Sequence, residues 1–537
     1  MKFRFIFLIL IIIGITSTAF ATWLPDRYHT YDEMEVDIHQ MAESYPEITK
    51  MDTLGYVPCL YEDIYGEMDS MAIYAMKISD NPEMDEDEPV LVFNGIHHAE
   101  EIIGMEIVFY MMEDLLTRYS EGDEEAINWI NDNEIWLIPM INPRGHKIVV
   151  DSIDVAYRKN TRDNNGNGQF DCDPGISPDG YPPYDDIDGV DLNRNYDFNW
   201  AYGDSSWESE TYRGPAPFSE PETQAIRDFF YEVRPIFCIN YHSSRSGNYS
   251  EYVLYPWRTG TILSPDYNHI RSIASNIAQR IPKDDGMGNY NTVYGSFYGG
   301  FARNWMYGEM GTFAYVVEAG SMVLPSGPFV DIICEKNLTG AYYIFDRIQN
   351  AQITGTITDG ETGEPLQATV SILEAAIEEP MAERISDPVY GRYRRLLLPN
   401  LGPYTLQVEK EGYTTVTIPN IETSNDSITT LNVVMEPTSV EYESYTPTAP
   451  EKISLEQNYP NPFNPTTTFT YSIPTTGHVS LNIYNTLGQH VETLIDKSQP
   501  AGDYSVEWNA EPLSSGVYFY TLDVNGKHIT KKLVLLK

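Results

Sequence analysis

Apolar residues follow two alternating rhythms along the chain up to about residue 350. Short unbroken runs at 90–94, 134–141, 236–241 and 313–318 read as strands buried on both faces, which have no polar side to show. Residues 31–45, 102–119, 220–233, 267–280 and 332–349 instead repeat apolar positions three and four apart, the period of a helix with one buried stripe. Strands alternating with helices predict an α/β domain over residues 22–350. Its notable polar residues fall just past the strand ends, where open α/β sheets place their sites.

After residue 350 the rhythm shortens. Residues 351–437 give brief alternating segments at 353–358, 368–372, 404–408 and 431–435, separated by Gly, Pro and Asp turns, and predict a small β-sandwich. It holds no His and no catalytic cluster. Residues 438–452, rich in Pro, Ser, Thr and Glu, read as a linker. Residues 453–537 form a second β-rich unit, with strand patterns at 479–484, 504–508, 516–522 and 529–536.

Composition narrows the setting. A formal net charge of −45 over 537 residues argues against nucleic acid and anionic membranes as partners. Lys2 and Arg4, an apolar stretch at 5–15 and the triplet Ala19-Phe20-Ala21 predict a signal peptide over residues 1–21. Four cysteines, Cys59, Cys172, Cys238 and Cys334, match no zinc-knuckle spacing. They leave one or two disulfides open, with Cys238 reading as a small buried residue of a strand.

The chemistry gathers at Gly95-Ile96-His97-His98-Ala99-Glu100-Glu101, between a strand and a helix. His97 with Glu100 and His98 with Glu101 both satisfy His-x-x-Glu, and His242 closes the apolar run ending at Tyr241. A His, Glu, His set that leaves one position open on zinc is a hydrolytic arrangement. Three further segments follow in order: Tyr157-Arg158-Lys159-Asn160; Asp191-Leu192-Asn193-Arg194-Asn195-Tyr196; and Phe313 to Glu318, preceded by Trp305. Between them, Asp163-Asn164-Asn165-Gly166-Asn167-Gly168-Gln169-Phe170-Asp171 offers alternating oxygen ligands and Gly turns, and the acidic run continues through Asp173, Asp185, Asp186 and Asp188. It reads as a structural Ca²⁺ loop or as a plain acidic loop.

In this order the motifs resemble the M14 zinc carboxypeptidases of the carboxypeptidase A and T group, from about Tyr28 to Glu318. The resemblance implies a mixed-sheet α/β catalytic domain, here followed by two small β-sandwiches. It implies Zn²⁺ on His98, Glu101 and His242, with Glu318 as general base and Arg158 stabilising the oxyanion. Asn193 and Arg194 would grip the substrate's terminal carboxylate. Bacterial relatives carry His-His-Ala-Arg-Glu and bind zinc through the second His and the final Glu. That register selects His98 and Glu101 over His97 and Glu100, and puts Glu100 where relatives have a substrate-contacting Arg. The mobile Tyr of the family falls on Tyr294 or Tyr298, the spacing to Trp305 fitting neither without a gap; Tyr294 is preferred. The residue two before the matched Trp, Arg303, falls at the base of the pocket for the C-terminal side chain. It is either balanced by a nearby acid or aimed at an acidic substrate side chain.

The final unit, with Tyr459-Pro460-Asn461-Pro462-Phe463-Asn464-Pro465, Asn485 to Gln489 and Ser515 to Tyr520, resembles the C-terminal sorting domain of type IX secretion substrates. Together these readings imply a monomeric, secreted or outer-surface metallocarboxypeptidase. Its partners would be peptide or protein substrates and the type IX machinery. Two rivals are a same-fold amidase acting on peptidoglycan stem or γ-glutamyl peptides, and a non-catalytic surface-binding protein.

Overall fold

The computed structural model of the protein describes residues 27–59, 69–168, 170, 188–244, 250–375, 381–438, 450 and 452–537. The expected signal peptide, Cys172 and most of the expected linker lie outside them. The chain divides into two compact units, residues 1–437 and 438–537.

The first unit opens with helix α1 (Tyr31–Ser44), strands β1 (Thr49–Val57), β2 (Met71–Ile78) and β3 (Val90–Gly95), and helices α2 (Ile103–Ser120) and α3 (Glu124–Asn131). It continues through β4 (Glu134–Ile138), α4 (Pro143–Val150), α5 (Pro221–Val233), β5 (Phe237–His242) and β6 (Tyr252–Tyr255). A small hairpin, β7 (Arg258–Thr259) and β8 (Ile262–Leu263), precedes α6 (Tyr267–Ala278) and β9 (Asn291–Tyr294). Then come α7 (Ala302–Gly308), β10 (Phe313–Glu318) and α8 (Gly327–Ile348). Eight of the strands form one mixed sheet in the order β1-β2-β4-β3-β5-β10-β6-β9. The central four, β4, β3, β5 and β10, run parallel.

The unbroken apolar runs are the middle of this sheet. Every residue of β3, β4 and β5 is buried, as parallel strands covered on both faces require. The second run ends earlier than the expected 134–141: β4 stops at Ile138 because Pro139 has no N–H for the ladder. Conversely, α8 starts five residues before the expected 332, with Pro328 in the first turn where its missing N–H costs nothing. The parallel register lines up the strand ends, with Gly95 opposite Tyr241 and Glu318 opposite His242. Helix α2 begins against these ends, and two glycines permit it. A Cβ on Gly95 would come within 2.7 Å of Gly104 backbone, and one on Gly104 within 2.7 Å of Tyr241 O.

Residues 352–435 build the expected sandwich from β11 (Gln352–Asp359), β12 (Thr369–Ile372), β13 (Arg392–Leu396), β14 (Tyr404–Glu409), β15 (Val416–Ile421), β16 (Ile428–Thr430) and β17 (Val433–Met435). Sheets β13-β11-β16 and β12-β14-β15 enclose Ile353, Ile357, Val370, Tyr393 and Leu406. The sandwich docks on the α/β domain through charged contacts. Arg392 and Arg394 both reach Asp87, at 2.6 and 3.1 Å, and the buried Arg395 reaches Asp266 at 3.4 Å.

The second unit, by itself, pairs β18 (Ser454–Leu455), β19 (Thr466–Ile473) and β22 (Gly502–Asn509) in one sheet. Strands β20 (Gly477–Asn485), β21 (His490–Gln499), β23 (Gly516–Val524) and β24 (Lys527–Leu535) form the other. Phe463, Phe469, Ile483, Trp508 and Leu533 fill the space between them. Among the described residues no helix is long and apolar enough to cross a membrane.

Candidate metal centre and active site

Two neighbouring strand ends bring the expected ligands together. His98 and Glu101 lie between β3 and α2, and His242 ends β5. One ligand atom from each lies within 4.8 Å of the others. His98 Nδ1 is 3.0 Å from Glu101 Oε1, His242 Nδ1 is 2.6 Å from Glu101 Oε2, and the two Nδ1 atoms are 3.1 Å apart. Two facing imidazole nitrogens and a carboxylate at this separation form a donor set suited to Zn²⁺. The charge balance also suits a cation. Burial and Arg158 oppose a proton on His98, but Glu101 and Asp191 outweigh them and raise its pKa to about 9.

His97 turns elsewhere. Its Nε2 meets Tyr196 Oη at 3.0 Å, and its ring stacks on His242 with centroids 5.5 Å apart. The chain reaches this corner through Ile96, held at φ 49°, a strained conformation for a β-branched residue. Glu100 is buried behind the site, with Oε1 3.8 Å from Arg158 Nη1.

Asp191, whose motif alone assigns it no role, ties the site together. Fully buried at the start of a single 3₁₀ turn, it accepts the N–H of Asn193 at 2.9 Å. Its Oδ1 is 3.2 Å from His98 Nε2, its Oδ2 takes Arg158 Nε at 3.0 Å, and Arg194 Nη1 stands 3.8 Å away. Burial favours its neutral form, but Arg158, Arg194 and His98 overcome this and hold the carboxyl well below its usual range. A carboxylate behind a ligand histidine fixes the ring's orientation and tautomer. This one also aims two guanidiniums. The spacing Asp-x-Asn-Arg was the available signal, but an Asp there reads equally well as a plain turn cap.

A cleft of about 550 Å³ opens over the donor set. Its lining includes Arg158, Asn193, Arg194, Tyr294, Arg303 and Glu318 together with the three ligand residues. Glu318 ends β10 beside His242, and its Oε2 is buried without a hydrogen-bond partner. Burial, then the charge of Glu101, pushes its carboxyl up to about 8. Arg194 lies over the Phe301 ring, 4.1 Å from its centroid. Asn193 Oδ1 accepts the N–H of Ala302 at 3.0 Å. Tyr294 is 46% exposed on the rim, whereas Tyr298 packs against Tyr202 and Phe297.

Arg303 is only 3% exposed, and its Nε has no hydrogen-bond partner. Among the described residues no ion pair joins it to a carboxylate, and the charge of Glu318, in the same cleft, balances it only in part. Burial, reinforced by Arg194, lowers its pKa to about 10. The candidate calcium loop folds on itself: Asp163 accepts the N–H groups of Gly166 and Gly168, at 2.6 and 2.8 Å. The acids Asp171, Asp173, Asp185 and Asp186 lie outside the described residues. Cys238 and Cys334 are buried thiols.

The zinc carboxypeptidase family pattern matches residues 34–338, which span α1 through most of α8 and include every residue of this cleft. The chain belongs to the zinc carboxypeptidase family. The metallocarboxypeptidase domain is followed by a carboxypeptidase regulatory-like domain at 352–436 and a secretion system C-terminal sorting domain at 457–536. The sorting domain marks the enzyme for type IX secretion to the cell surface or beyond it. Carboxypeptidase B of Astacus astacus is 27% identical over 302 residues, 54% of this chain and 86% of that protein. Human carboxypeptidase D is 24% identical over 428 residues, 75% of this chain but only 26% of that longer protein. The solved structure of thrombin activatable fibrinolysis inhibitor shares 21% identity at a TM-score of 0.48, covering 59% of this chain and 73% of that one.

Proposed function

We propose that this zinc carboxypeptidase hydrolyses the last peptide bond of peptides and proteins, preferring acidic C-terminal residues. The observation that carries the reading is the cleft itself. One space holds the His98, Glu101, His242 donor set, the unpartnered Glu318 carboxylate and the guanidiniums of Arg158, Arg194 and Arg303. Zinc bound to the three donors would polarise the scissile carbonyl and acidify a water to a pKa of about 7.

The remaining steps belong to the chain's own residues. Arg194 and Asn193 bind the free C-terminal carboxylate, the guanidinium fork matching its two oxygens. Glu318 takes the proton of the attacking water; a carboxyl raised toward neutrality suits this task. Arg158, held rigid by Asp191, faces the negative charge that develops on the carbonyl oxygen. Glu318 then returns its proton to the leaving amine. Tyr294 covers the bound residue from the rim. Arg303 supplies a desolvated positive charge that a Glu or Asp side chain would neutralise, and an unpaired buried cation is costly until something does so.

The test uses peptides that differ only in the last residue, with release read by mass spectrometry. Glu should leave faster than Phe or Lys, and Arg303→Ile should move the preference to Phe. If Glu is the poorest terminus, or Arg303→Ile leaves the ranking as it was, Arg303 does not select.

A further inference from the structure

The short helix α7 carries Arg303 near its start, and different domains hold its two ends. The start is tied within the catalytic domain: Ala302 N donates to Asn193 Oδ1 at 3.0 Å, and Asn304 Nδ2 to Ser296 O at 2.7 Å. At the far end, the chain's own next turn bonds Trp305 O, Met306 O and Tyr307 O through Glu309 N, Thr312 N and Gly311 N at 2.8, 3.0 and 3.1 Å, and leaves Gly308 O without a donor of its own. Here the regulatory-like sandwich supplies donors. Arg384 Nη2 donates to Tyr307 O at 2.8 Å and Nη1 to Gly308 O at 3.3 Å, while Ala382 N donates to Gly308 O at 3.0 Å.

The guanidinium also lies over the Tyr307 ring, 5.2 Å from its centroid. The fit leaves no slack, since a Cβ on Gly311 would come within 2.8 Å of Arg384 Cδ. Tyr307 is locked from its other side. Its hydroxyl donates to Asp266 Oδ2 at 2.8 Å and accepts Asp266 N at 3.1 Å, and Asp266 Oδ1 receives Arg395 Nη2 from the sandwich at 3.4 Å. A helix of seven residues makes few bonds of its own, so its end caps decide how firmly it holds. A cation at its C-terminus also faces the negative end of the helix dipole.

We propose that Arg384 is a positioning residue for substrate selection: by capping α7 from the neighbouring domain it fixes where Arg303 stands in the cleft. This rests on the reading of Arg303 as the residue that selects the terminal side chain. The regulatory-like domain thereby takes part in choosing the substrate without touching it. Two other docking contacts avoid α7. Arg392 meets Asp87, and Tyr404 Oη meets His269 Nε2 at 3.1 Å. A loosened domain and an uncapped helix are therefore separable by mutation.

The experiment compares zinc-loaded full-length enzyme with Arg384→Met, Arg384→Lys and Arg392→Met. Two quantities are read: hydrogen exchange over residues 302–308, and the ratio of kcat/KM for peptides ending in Glu and in Phe. Arg384→Met should speed exchange in α7 by on the order of tenfold and shrink the ratio by a similar factor, chiefly through KM. Arg384→Lys, which keeps the charge but loses the fork, should fall between it and the wild type. This variant carries the test if Arg384→Met does not fold. Arg392→Met should lower the Tm while leaving both quantities as in the wild type. A wild-type ratio that survives both Arg384 substitutions, or that Arg392→Met shrinks equally, overturns the role of Arg384 alone. A wild-type preference that Arg303→Ile does not remove means that the reading of Arg303 has failed, and the proposal falls with it.

Discussion

Replacing Asp191 by Asn removes one negative charge and almost no volume from the middle of the site. Three positive or ionisable groups depend on that charge: Arg158 at 3.0 Å, His98 at 3.2 Å and Arg194 at 3.8 Å. His98 is buried, and the side chains of Arg158 and Arg194 are only 17% and 18% exposed. Removing one partner of a buried charge pair costs about 3–5 kcal/mol. Asn keeps one acceptor oxygen, so the lower end, about 3 kcal/mol of global stability, is expected. Losing the carboxylate behind a ligand histidine weakens metal binding about 10- to 100-fold. The Asp191 carboxyl is held well below its usual range, so it is ionised throughout the working pH range. Its own titration therefore adds no pH dependence to the stability defect of the zinc-loaded protein between about pH 6 and about pH 8. Urea melts of zinc-loaded protein give the first quantity, and competition against a chelator of known affinity gives the second. An Asp191→Asn enzyme with the wild-type urea midpoint and a zinc Kd within about twofold of wild type would refute this account of how the site is held.

Other expectations follow from the same geometry. His98→Ala should abolish zinc binding and His97→Ala should largely keep it, as read by metal content after gel filtration; the reverse result would move the ligand register to His97 and Glu100. Glu318→Gln should retain zinc and lose roughly 10²–10⁴ in kcat, the usual range for a general acid–base group. Glu222 is fully buried, and burial together with Glu220 raises its carboxyl to about 8. The folded state binds that proton more tightly than the unfolded chain, whose Glu titrates near 4.3, so the stability it contributes is full below about pH 4 and lost as pH rises toward about 8. Glu222→Gln should flatten this decline in melts run across that window. A chain ending at Pro437 should keep its peptidase activity; a folded, zinc-loaded truncate without activity would implicate the sorting domain in catalysis.

The middle of the fold was legible because β3, β5 and β10 are short continuous apolar runs rich in β-branched and aromatic residues, as strands buried on both faces are. The sheet's outer strands were not. In β1, half-buried residues fill the middle and Gly55 sits at a register shift, so neither period stands out. Helix α7 escaped because all seven of its residues are buried and it shows no polar face. The three residues of the candidate donor set were readable from local spacing and motif order. The roles of Asp191 and Arg384 were not, because each acts through contacts across 33 to 93 positions of the chain. No period or motif records a pairing over that distance.

The central claim is that a metal-dependent site takes hold of a free C-terminus. The most direct measurement incubates zinc-loaded enzyme with one peptide in two forms, with a free carboxylate and with a C-terminal amide, and follows released amino acids by mass spectrometry. The account predicts stepwise loss of single residues from the free form, little or none from the amide, and no release after chelation until zinc is restored. Equal cleavage of both forms, internal cleavage, or full activity in the chelated enzyme would contradict it.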